Sequence, residues 1–412
     1  MAPGTQNSPQ HPSLTVDVLD GRAGWVQVGA ALVSMLTVFG VGYSFGAFFE
    51  SITAEFDAGS GATALVFSIT ISLSFALAPF TGSLADRFGP RPVLLAGAVA
   101  LTGGLLITSQ ANSIVMAYAA YGLGVGVAIA CGYVPMVALV GGWFVERRAL
   151  ALGMSVAGIG LGTLLGSPLS AALIEATSWR TTFVIYGIGG GVLMCLVAVV
   201  ARPGPAAQPS AGLRSFRELM AIGDFATLYA SSLCVTFGLF VPFVFLASYA
   251  EDRGADPVAA ASLVGLIGGA SVVGRLGLGS LADRVGTVRL YRVSFVMIAA
   301  GHVVWLLAGD RFWMLVVYAI VLGVGYGGFI AISPAVVALR FGLEGIGGVL
   351  GTLYTSAAVG SLAGPPLAGL LIDSAGYRTA IAGAVVMSVA GWSALLRLSP
   401  DDPNLVTDAG RA

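Results

Sequence analysis

The chain has 412 residues, of which 57% are hydrophobic and only 9% are charged, and its net charge is −1. A typical soluble domain carries about 25% charged residues. A chain so poor in charge cannot cover a water-facing surface, so lipid must be its main solvent. The near-neutral charge balance also argues against a nucleic-acid partner, which would require a basic surface.

Twelve apolar stretches follow one another along the chain. Each is close to the roughly 20 residues that a membrane-crossing helix needs. The predicted spans are 25–49, 62–84, 92–109, 113–141, 149–173, 181–201, 226–249, 258–281, 290–308, 312–338, 347–372 and 378–397. The pattern therefore predicts an all-α membrane protein with twelve transmembrane helices.

The longest polar interruption contains three prolines and divides the spans into two sets of six. The predicted organisation is a cytoplasmic segment at 1–24, an N-terminal bundle at 25–201, a cytoplasmic linker at 202–225, a C-terminal bundle at 226–397 and a cytoplasmic tail at 398–412. Within the linker, Phe216, Leu219 and Met220 have the spacing of a short amphipathic helix on the membrane surface.

The arginines are distributed unevenly between the two sides of the predicted membrane. With the amino terminus inside, fourteen arginines fall in inner segments and four in outer loops, namely Arg180, Arg253, Arg311 and Arg378. This is the positive-inside pattern. We therefore predict a multi-pass protein of the cell membrane with both termini in the cytoplasm.

An eight-residue peptide occurs twice, 197 residues apart, and each copy ends a long apolar stretch. It reads GSLADRFG at 82–89 and GSLADRVG at 279–286, so seven of eight positions match. A repeat at half-length in so hydrophobic a chain predicts two pseudo-symmetric six-helix bundles, an architecture typical of transporters.

Each copy carries an Asp-Arg pair at the predicted cytoplasmic end of a span. These pairs, Asp86 with Arg87 and Asp283 with Arg284, are candidates for conformational gating. Each aspartate could pair with arginines or a neighbouring helix end in one state and release it in the other. The alternative is a passive tight turn, which the glycine that ends each copy would support.

The repeated peptide resembles the signature between the second and third helices of the major facilitator superfamily. Two further motifs are similar to those of the monocarboxylate transporter family: DGRAGW at 20–25, and WFVERRALALGMSVAG at 143–158. The resemblance covers all twelve spans and implies two bundles around a cavity that opens alternately to each side. It implies conformational coupling for Arg148 and Gly158, with Arg147 beside them; interface charge and close helix packing are the alternatives.

Arg275 lies deep within the eighth predicted span, eight residues before Asp283. That separation is about 12 Å along a helix that rises 1.5 Å per residue. Placing an arginine there costs about 2.5–3.5 kcal/mol on insertion scales. A guanidinium holds carboxylate in a two-pronged geometry, which suits a small organic anion. The resemblance likewise implies a substrate-binding arginine at this position; the alternative is a structural arginine satisfied by carbonyl groups.

The chain departs from the best-known members of that family in the residues implied in proton handling. Ser271 stands four residues before Arg275, where they carry an acid, and the chain has no lysine. Ser271 remains a candidate substrate contact. His302 is the only imidazole within a predicted span, so it is the candidate for proton coupling. Its alternative role is a hydrogen-bonded packing residue.

Five aromatic residues fall in spans that line the cavity in the fold that the chain resembles. They are Tyr43, Tyr133, Tyr326, Phe329 and Tyr354. They are candidate substrate contacts, because a tyrosine hydroxyl can bond a carboxylate or hydroxyl of the cargo. Helix packing is the alternative for each of them.

The leading interpretation is a secondary active transporter of small monocarboxylates such as lactate or pyruvate, working by alternating access with a proton. The alternatives are an exporter of hydrophobic drugs or metabolites and an organic-anion antiporter. An enzyme is not expected, because the sequence has no nucleophile–base cluster, metal-ligand set or nucleotide-binding motif. The expected partners are an organic anion, a proton and the lipid bilayer, with no metal, no cofactor and no obligate protein partner.

Overall fold

The computed structural model describes residues 19–204, 216–342 and 346–399. In these ranges the chain is helical, without strands, and twelve helices are long and apolar enough to cross a membrane. We number them α1 (Arg22–Phe56), α2 (Ser60–Phe88), α3 (Pro90–Ser109), α4 (Ile114–Gly141), α5 (Arg148–Ala176), α6 (Trp179–Val200), α7 (Gly223–Glu251), α8 (Pro257–Val285), α9 (Thr287–Ala308), α10 (Phe312–Phe341), α11 (Ile346–Ala375) and α12 (Tyr377–Leu395). The predicted all-α membrane fold of twelve spans is confirmed.

The segments outside the spans are described only in part. A short helix, Phe216–Met220, forms where the spacing of its apolar residues predicts one. The rest of the predicted amino-terminal segment, linker and tail falls largely on 1–18, 205–215 and 400–412, which lie outside the described residues.

The repeated peptide ends in the same turn in both halves of the chain. Gly89 and Gly286 follow α2 and α8 with φ of 85° and 105°, where a side chain would be strained. Their N–H groups donate to the carbonyl oxygens of Ala85 and Ala282 at 2.9 and 3.0 Å, which closes each helix. The turn therefore accounts for the glycine at the end of each copy.

The first span of each half is broken near the same place. The α-helix of α1 ends at Tyr43 and continues through a 3₁₀ turn at Phe45–Phe48. In α7 the helix stops at Leu239 and restarts with Pro242 in its first turn, where proline is tolerated because no N–H is needed. The two breaks meet: a Cβ on Gly46 would lie 2.7 Å from the carbonyl oxygen of Phe243.

Glycine lets helices approach closely within each bundle. A Cβ on Gly158 or Gly162 of α5 would lie 2.3 Å from the carbonyl oxygen of Leu32 or Leu36 of α1. The C-terminal bundle repeats this contact, with Gly364 of α11 against α7. Small residues are needed here because lipid gives helices little hydrophobic reason to associate. Gly158 thus packs against α1 inside its own bundle, as expected if its role is close helix packing.

Besides the meeting of α1 with α7, two helix pairs form extensive contacts between the bundles. Where α5 meets α8, a Cβ on Gly160 would lie 2.5 Å from the carbonyl oxygen of Gly268. Where α2 meets α11, the carboxylate of Asp373 accepts a hydrogen bond from the N–H of Ser60 at 2.9 Å. Since α2 starts after Gly59, which has no capping side chain, the other bundle supplies the acceptor that helix ends require.

The bundles are closed at one end. We call the end that holds Arg22 and Leu395 the terminal end, and the other the opposite end. The contacts of Gly46 with Phe243 and of Ser60 with Asp373 both lie at the opposite end. They close the space between the bundles at that end, and the central cavity lies between this closure and the terminal end.

Candidate functional site

A small cavity of about 40 Å³ lies between the two bundles in the middle of the spans. Helices α1, α2, α4 and α5 form one wall, and α8, α10 and α11 form the other. The lining residues are Phe39, Tyr43, Ser74, Phe75, Ala78, Ile129, Ala130, Tyr133, Val134, Ile159, Arg275, Tyr326, Ile330 and Tyr354. Among them Arg275 is the one residue with a formal charge, so the cavity is cationic on one side and otherwise apolar or hydroxylic.

Arg275 reaches this cavity from the middle of α8 and is only 7% exposed. Its Nη1 donates to the carbonyl oxygen of Val156 in α5 at 2.9 Å, across the interface between the bundles. Its Nε and Nη2 are buried and have no hydrogen-bonding partner among the described residues. The carbonyl contact alone therefore does not satisfy the guanidinium, because buried donors are normally paired.

Two tyrosines close the cavity toward the opposite end. The hydroxyl groups of Tyr43 in α1 and Tyr326 in α10 are 3.1 Å apart, so they join the bundles directly. The Arg275 guanidinium carbon lies 5.6 Å from the centre of the Tyr326 ring, within the range of a cation–π contact. An anion bound at Arg275 would therefore lie beside the tyrosine pair that links the bundles.

Two further tyrosines line the cavity from opposite walls, each packed against a phenylalanine. Tyr133 packs edge-on against Phe39 with ring centres 5.7 Å apart, and Tyr354 faces Phe75 at 6.0 Å. The structure thus brings four of the predicted aromatic residues to the cavity with Arg275. Their rings supply apolar surface, and their hydroxyl groups are neutral hydrogen-bonding groups.

Ser271 and Phe329 lie outside the cavity lining, contrary to their predicted place in it. The Ser271 hydroxyl donates to the carbonyl oxygen of Gly268 at 2.7 Å, on the face of α8 that packs against α5. Phe329 packs between Tyr291 and Phe295 of α9, with ring centres 6.0 and 5.5 Å away. Both helices are rotated so that these residues fill helix interfaces.

Sequence reasoning missed the α2 part of the lining. Ser74 and Ala78 are one turn apart and face the cavity, and the Ser74 hydroxyl donates to the carbonyl oxygen of Ile71 at 2.7 Å. Ala78 is the position that the 197-residue repeat relates to Arg275. That relation is the signal that could have located it, because equivalent positions in two such bundles face a common centre.

His302 is buried inside the C-terminal bundle and does not line the cavity. Its Nδ1 lies 3.0 Å from the hydroxyl of Ser388 in α12, and its ring centre is 6.0 Å from that of Tyr318 in α10. Its Nε2 has no partner among the described residues. Any effect on cargo would therefore have to pass through the helices packed around the imidazole, which include α7, α10 and α12.

The predicted gating pairs lie at the terminal end of α2 and α8. Asp86, Arg87 and Arg284 are exposed, and the Arg87 guanidinium stacks on the ring of Phe88 at 5.1 Å. The side chain of Asp283 lies outside the part of the chain that the structure describes. Gating by these pairs stays a prediction.

The two motifs that resemble the monocarboxylate transporters meet at the terminal end. The Asp20 carboxylate accepts hydrogen bonds from the backbone N–H groups of Val145, Glu146 and Arg147 at 3.0–3.2 Å. Loss of solvation raises the pKa of this carboxyl, but the three donors and the nearby Arg147 charge together hold it below its usual value. Trp25 and Phe144 pack edge-on beside them, 5.1 Å apart. Arg147 thus contributes through both its backbone N–H group and its charge, and the exposed Arg148 begins α5.

Comparison with known proteins agrees with this architecture. Residues 30–286 and 228–411 match the family model of the Major Facilitator Superfamily. A bacterial homologue of the human lysosomal transporter Spinster, solved in an inward-facing and unoccupied conformation, superposes with a TM-score of 0.74. It covers 93% of this chain and 100% of its own at 14% identity, so it supports the fold alone. The chain belongs to the major facilitator superfamily and is a multi-pass membrane transporter, not an enzyme.

Within that superfamily the chain is similar to monocarboxylate transporters. Monocarboxylate transporter 3 of Rattus norvegicus is 32% identical over 372 residues, which cover 86% of this chain and 75% of that protein. Monocarboxylate transporter 11 of Homo sapiens is 30% identical over 390 residues, which cover 90% and 82%. The resemblance noted in the sequence motifs therefore extends over most of both chains.

Proposed function

We propose that this protein moves small monocarboxylates, of the size of lactate or pyruvate, across the membrane, and that Arg275 binds their carboxylate. The observation that carries the proposal is the buried guanidinium with two unpartnered nitrogens, Nε and Nη2, beside a cavity between the bundles. A carboxylate has two oxygens at the spacing of such a fork and can satisfy both nitrogens at once. The names of the similar transporters support the same cargo class.

Alternating access is the mechanism that this architecture supports best. The site lies at the interface of the two bundles, and the opposite end is held shut by contacts between broken or uncapped helix ends. Separation of α2 from α11 and of α1 from α7 would open that end, while the terminal end closed. On the arginine distribution, the terminal end is the cytoplasmic one.

A proton accompanies the anion in this proposal, with His302 as its carrier. None of the described residues that line the cavity is acidic, and His302 contacts Tyr318 of α10, the helix that also carries Tyr326. Protonation of His302 could therefore change the packing of α10 against the site. The variant His302→Gln should lose the stimulation of uptake by an inward proton gradient; unchanged stimulation would reject this role.

Counterflow in proteoliposomes tests the transport proposal. Vesicles with the purified protein and internal unlabelled lactate should accumulate external labelled lactate, and Arg275→Gln should abolish this exchange. Arg311→Gln is the matched control, because Arg311 is exposed at the start of α10 and far along the helix from the cavity. Failure to exchange lactate, pyruvate or any other short monocarboxylate would contradict the proposal and favour an exporter of other cargo.

A further inference from the structure

Closure of the opposite end brings together two glutamates from different bundles. Glu50 follows Phe49 in α1, and Glu251 is the last residue of α7. Phe49 packs edge-on against Phe245 of α7 with ring centres 5.0 Å apart, so the two helices are in contact across the interface there. Of the charged groups around Glu251, Glu50 acts on it most strongly. We call these two residues the glutamate pair.

The glutamate pair has no counter-charge within the part of the chain that the structure describes. Neither member forms an ion pair with a described residue. Arg253 is near in sequence, but its Nη1 donates to the carbonyl oxygen of Tyr249 at 2.9 Å and its guanidinium stacks on that ring at 3.5 Å. Its Nε lies 3.5 Å from the carboxylate of Asp310. The two carboxylates therefore repel each other, and because Glu251 is half-buried, water screens that repulsion incompletely.

The other titratable groups around the pair do not relieve this repulsion. Asp252 and Asp256 add further negative charge beside Glu251. Tyr377 of α12 faces Glu50 and Asp252, but a phenol is neutral at physiological pH, because its usual pKa is about 10. A proton bound by the glutamate pair is thus the change that removes the repulsion.

Asp373 is the acid at this end whose protonation would act in the opposite direction. Its carboxylate accepts the hydrogen bond from the N–H of Ser60 and so joins α11 to α2. A neutral carboxyl group is a weaker acceptor than a carboxylate, so acid would weaken this bond and favour opening. The direction of a pH effect on closure therefore shows whether the glutamate pair or Asp373 dominates it.

We propose that closure of the opposite end takes up a proton at the glutamate pair, so that acid favours the closed conformation. The inference rests on the proposed alternating access, because it assumes that this end opens, but it needs no cargo. When the bundles separate, water surrounds both carboxylates and their repulsion falls. The closed state then binds a proton more tightly than the open one, and a lower pH shifts the equilibrium toward closure. This effect on conformation is separate from the proton that His302 is proposed to carry.

Distances between spin labels on the two bundles, measured from pH 8 to pH 5 without cargo, test the inference. Suitable label sites are Asn112 and Arg311, which are exposed at the opposite end, one in each bundle, after the three native cysteines have been replaced. One proton changes the ratio of closed to open molecules by at most about ten-fold per pH unit, and we expect a rise of at least about three-fold over this range. An unchanged ratio, or a shift toward open molecules in acid, would overturn the inference.

Neutral variants assign the effect to the pair. Glu251→Gln and Glu50→Gln should each abolish the pH dependence and give at pH 8 the distribution that the natural protein has at pH 5. Glu55→Gln is the matched control, because Glu55 lies in the same segment of α1 but pairs with Arg180 of its own bundle at 2.7 Å. It should keep the pH dependence. A dependence that persists in Glu251→Gln, or one that Glu55→Gln abolishes, would also overturn the inference.

Failure of this inference and failure of the proposed function give different results. His302→Gln and Arg275→Gln should both keep the pH dependence of the spin-label distances, because neither residue belongs to the glutamate pair. Loss of that dependence in His302→Gln together with its retention in Glu251→Gln would assign it to the imidazole and overturn the inference. A protein that exchanges no short monocarboxylate in counterflow contradicts the proposed function instead.

Discussion

The contribution of Arg275 to binding can be separated into charge and geometry by two substitutions. Arg275→Gln removes the cation and the fork, whereas Arg275→Lys keeps a positive charge but has no second nitrogen to hold both carboxylate oxygens. The structure leaves Nε and Nη2 free for the cargo, while Nη1 is engaged with Val156. We therefore expect two charge-assisted hydrogen bonds to the anion in the natural protein.

The expected losses follow from these two bonds. A hydrogen bond to a charged group contributes about 1.5–3 kcal/mol. Arg275→Gln should therefore weaken pyruvate binding by about 3–6 kcal/mol, roughly 10²- to 10⁴-fold. Arg275→Lys loses one bond of the pair and should weaken it by about 10- to 150-fold. Titration calorimetry of the detergent-purified protein with pyruvate measures both, with Arg311→Gln as the control.

Thermal unfolding distinguishes a variant that has lost a ligand contact from one that is misfolded. The natural protein should unfold at a higher temperature in saturating pyruvate, because a ligand that binds only the folded state stabilises it. Arg275→Gln should lose that shift but unfold no earlier without ligand, since a buried arginine itself costs about 2.5–3.5 kcal/mol in a span. Full retention of pyruvate affinity and of the thermal shift in Arg275→Gln would refute the reasoning.

Three further predictions concern closure at the opposite end. Tyr326→Phe removes the hydroxyl that bonds to the hydroxyl of Tyr43, a hydrogen bond of about 0.5–1.5 kcal/mol. Distances between spin labels on the two bundles at that end should then show a larger fraction of open molecules. An unchanged distance distribution would contradict a role of this hydrogen bond in closure. Asp373→Ala removes the side chain that caps α2, and the loss of such a cap typically costs about 1 kcal/mol of stability. This variant should give a larger fraction of open molecules than Asp373→Asn, which keeps a hydrogen-bond acceptor. Equal open fractions in the two variants would contradict the capping role. Gly369→Ala places a methyl group 2.5 Å from the α2 backbone and should slow lactate counterflow. Gly189→Ala is the control, because Gly189 has open space around it, and it should leave the rate unchanged. Equal rates in the two variants would show that transport does not need the close approach of α11 to α2.

The number of spans and the two-bundle fold could be predicted because they depend on length, hydropathy and a repeat. The position of Arg275 could be predicted because a lone cation far inside a span is costly unless it has a role. Its carbonyl partner Val156 lies 119 residues away in the other bundle, and no local pattern indicates that pairing.

The rotation of each helix could not be read from the sequence. Ser271 lies one turn from Arg275, and Phe329 is three residues from Tyr326, so spacing alone places each near the cavity face. These helices are apolar on every side, and their rotation is set by glycine contacts such as that of Gly160 with α8. Those contacts turn Ser271 toward α5 and Phe329 toward α9.

Hydrogen bonds between distant segments could likewise not be predicted from local sequence patterns. The capping of α2 by Asp373 joins residues 313 apart in sequence, and the Asp20 cluster joins segments about 125 apart. Each depends on two helix or loop ends that become neighbours only when the bundles have assembled. The two motifs that resemble the monocarboxylate transporters were visible separately, but their contact was not.

The most direct test of the account is a structure of the purified protein with bound 2-bromopropionate, located through the anomalous signal of bromine. The account predicts a carboxylate in the central cavity, with its oxygens about 2.7–2.9 Å from Nε and Nη2 of Arg275. An anion bound elsewhere in the protein, with both of these nitrogens satisfied by other protein groups, would contradict it.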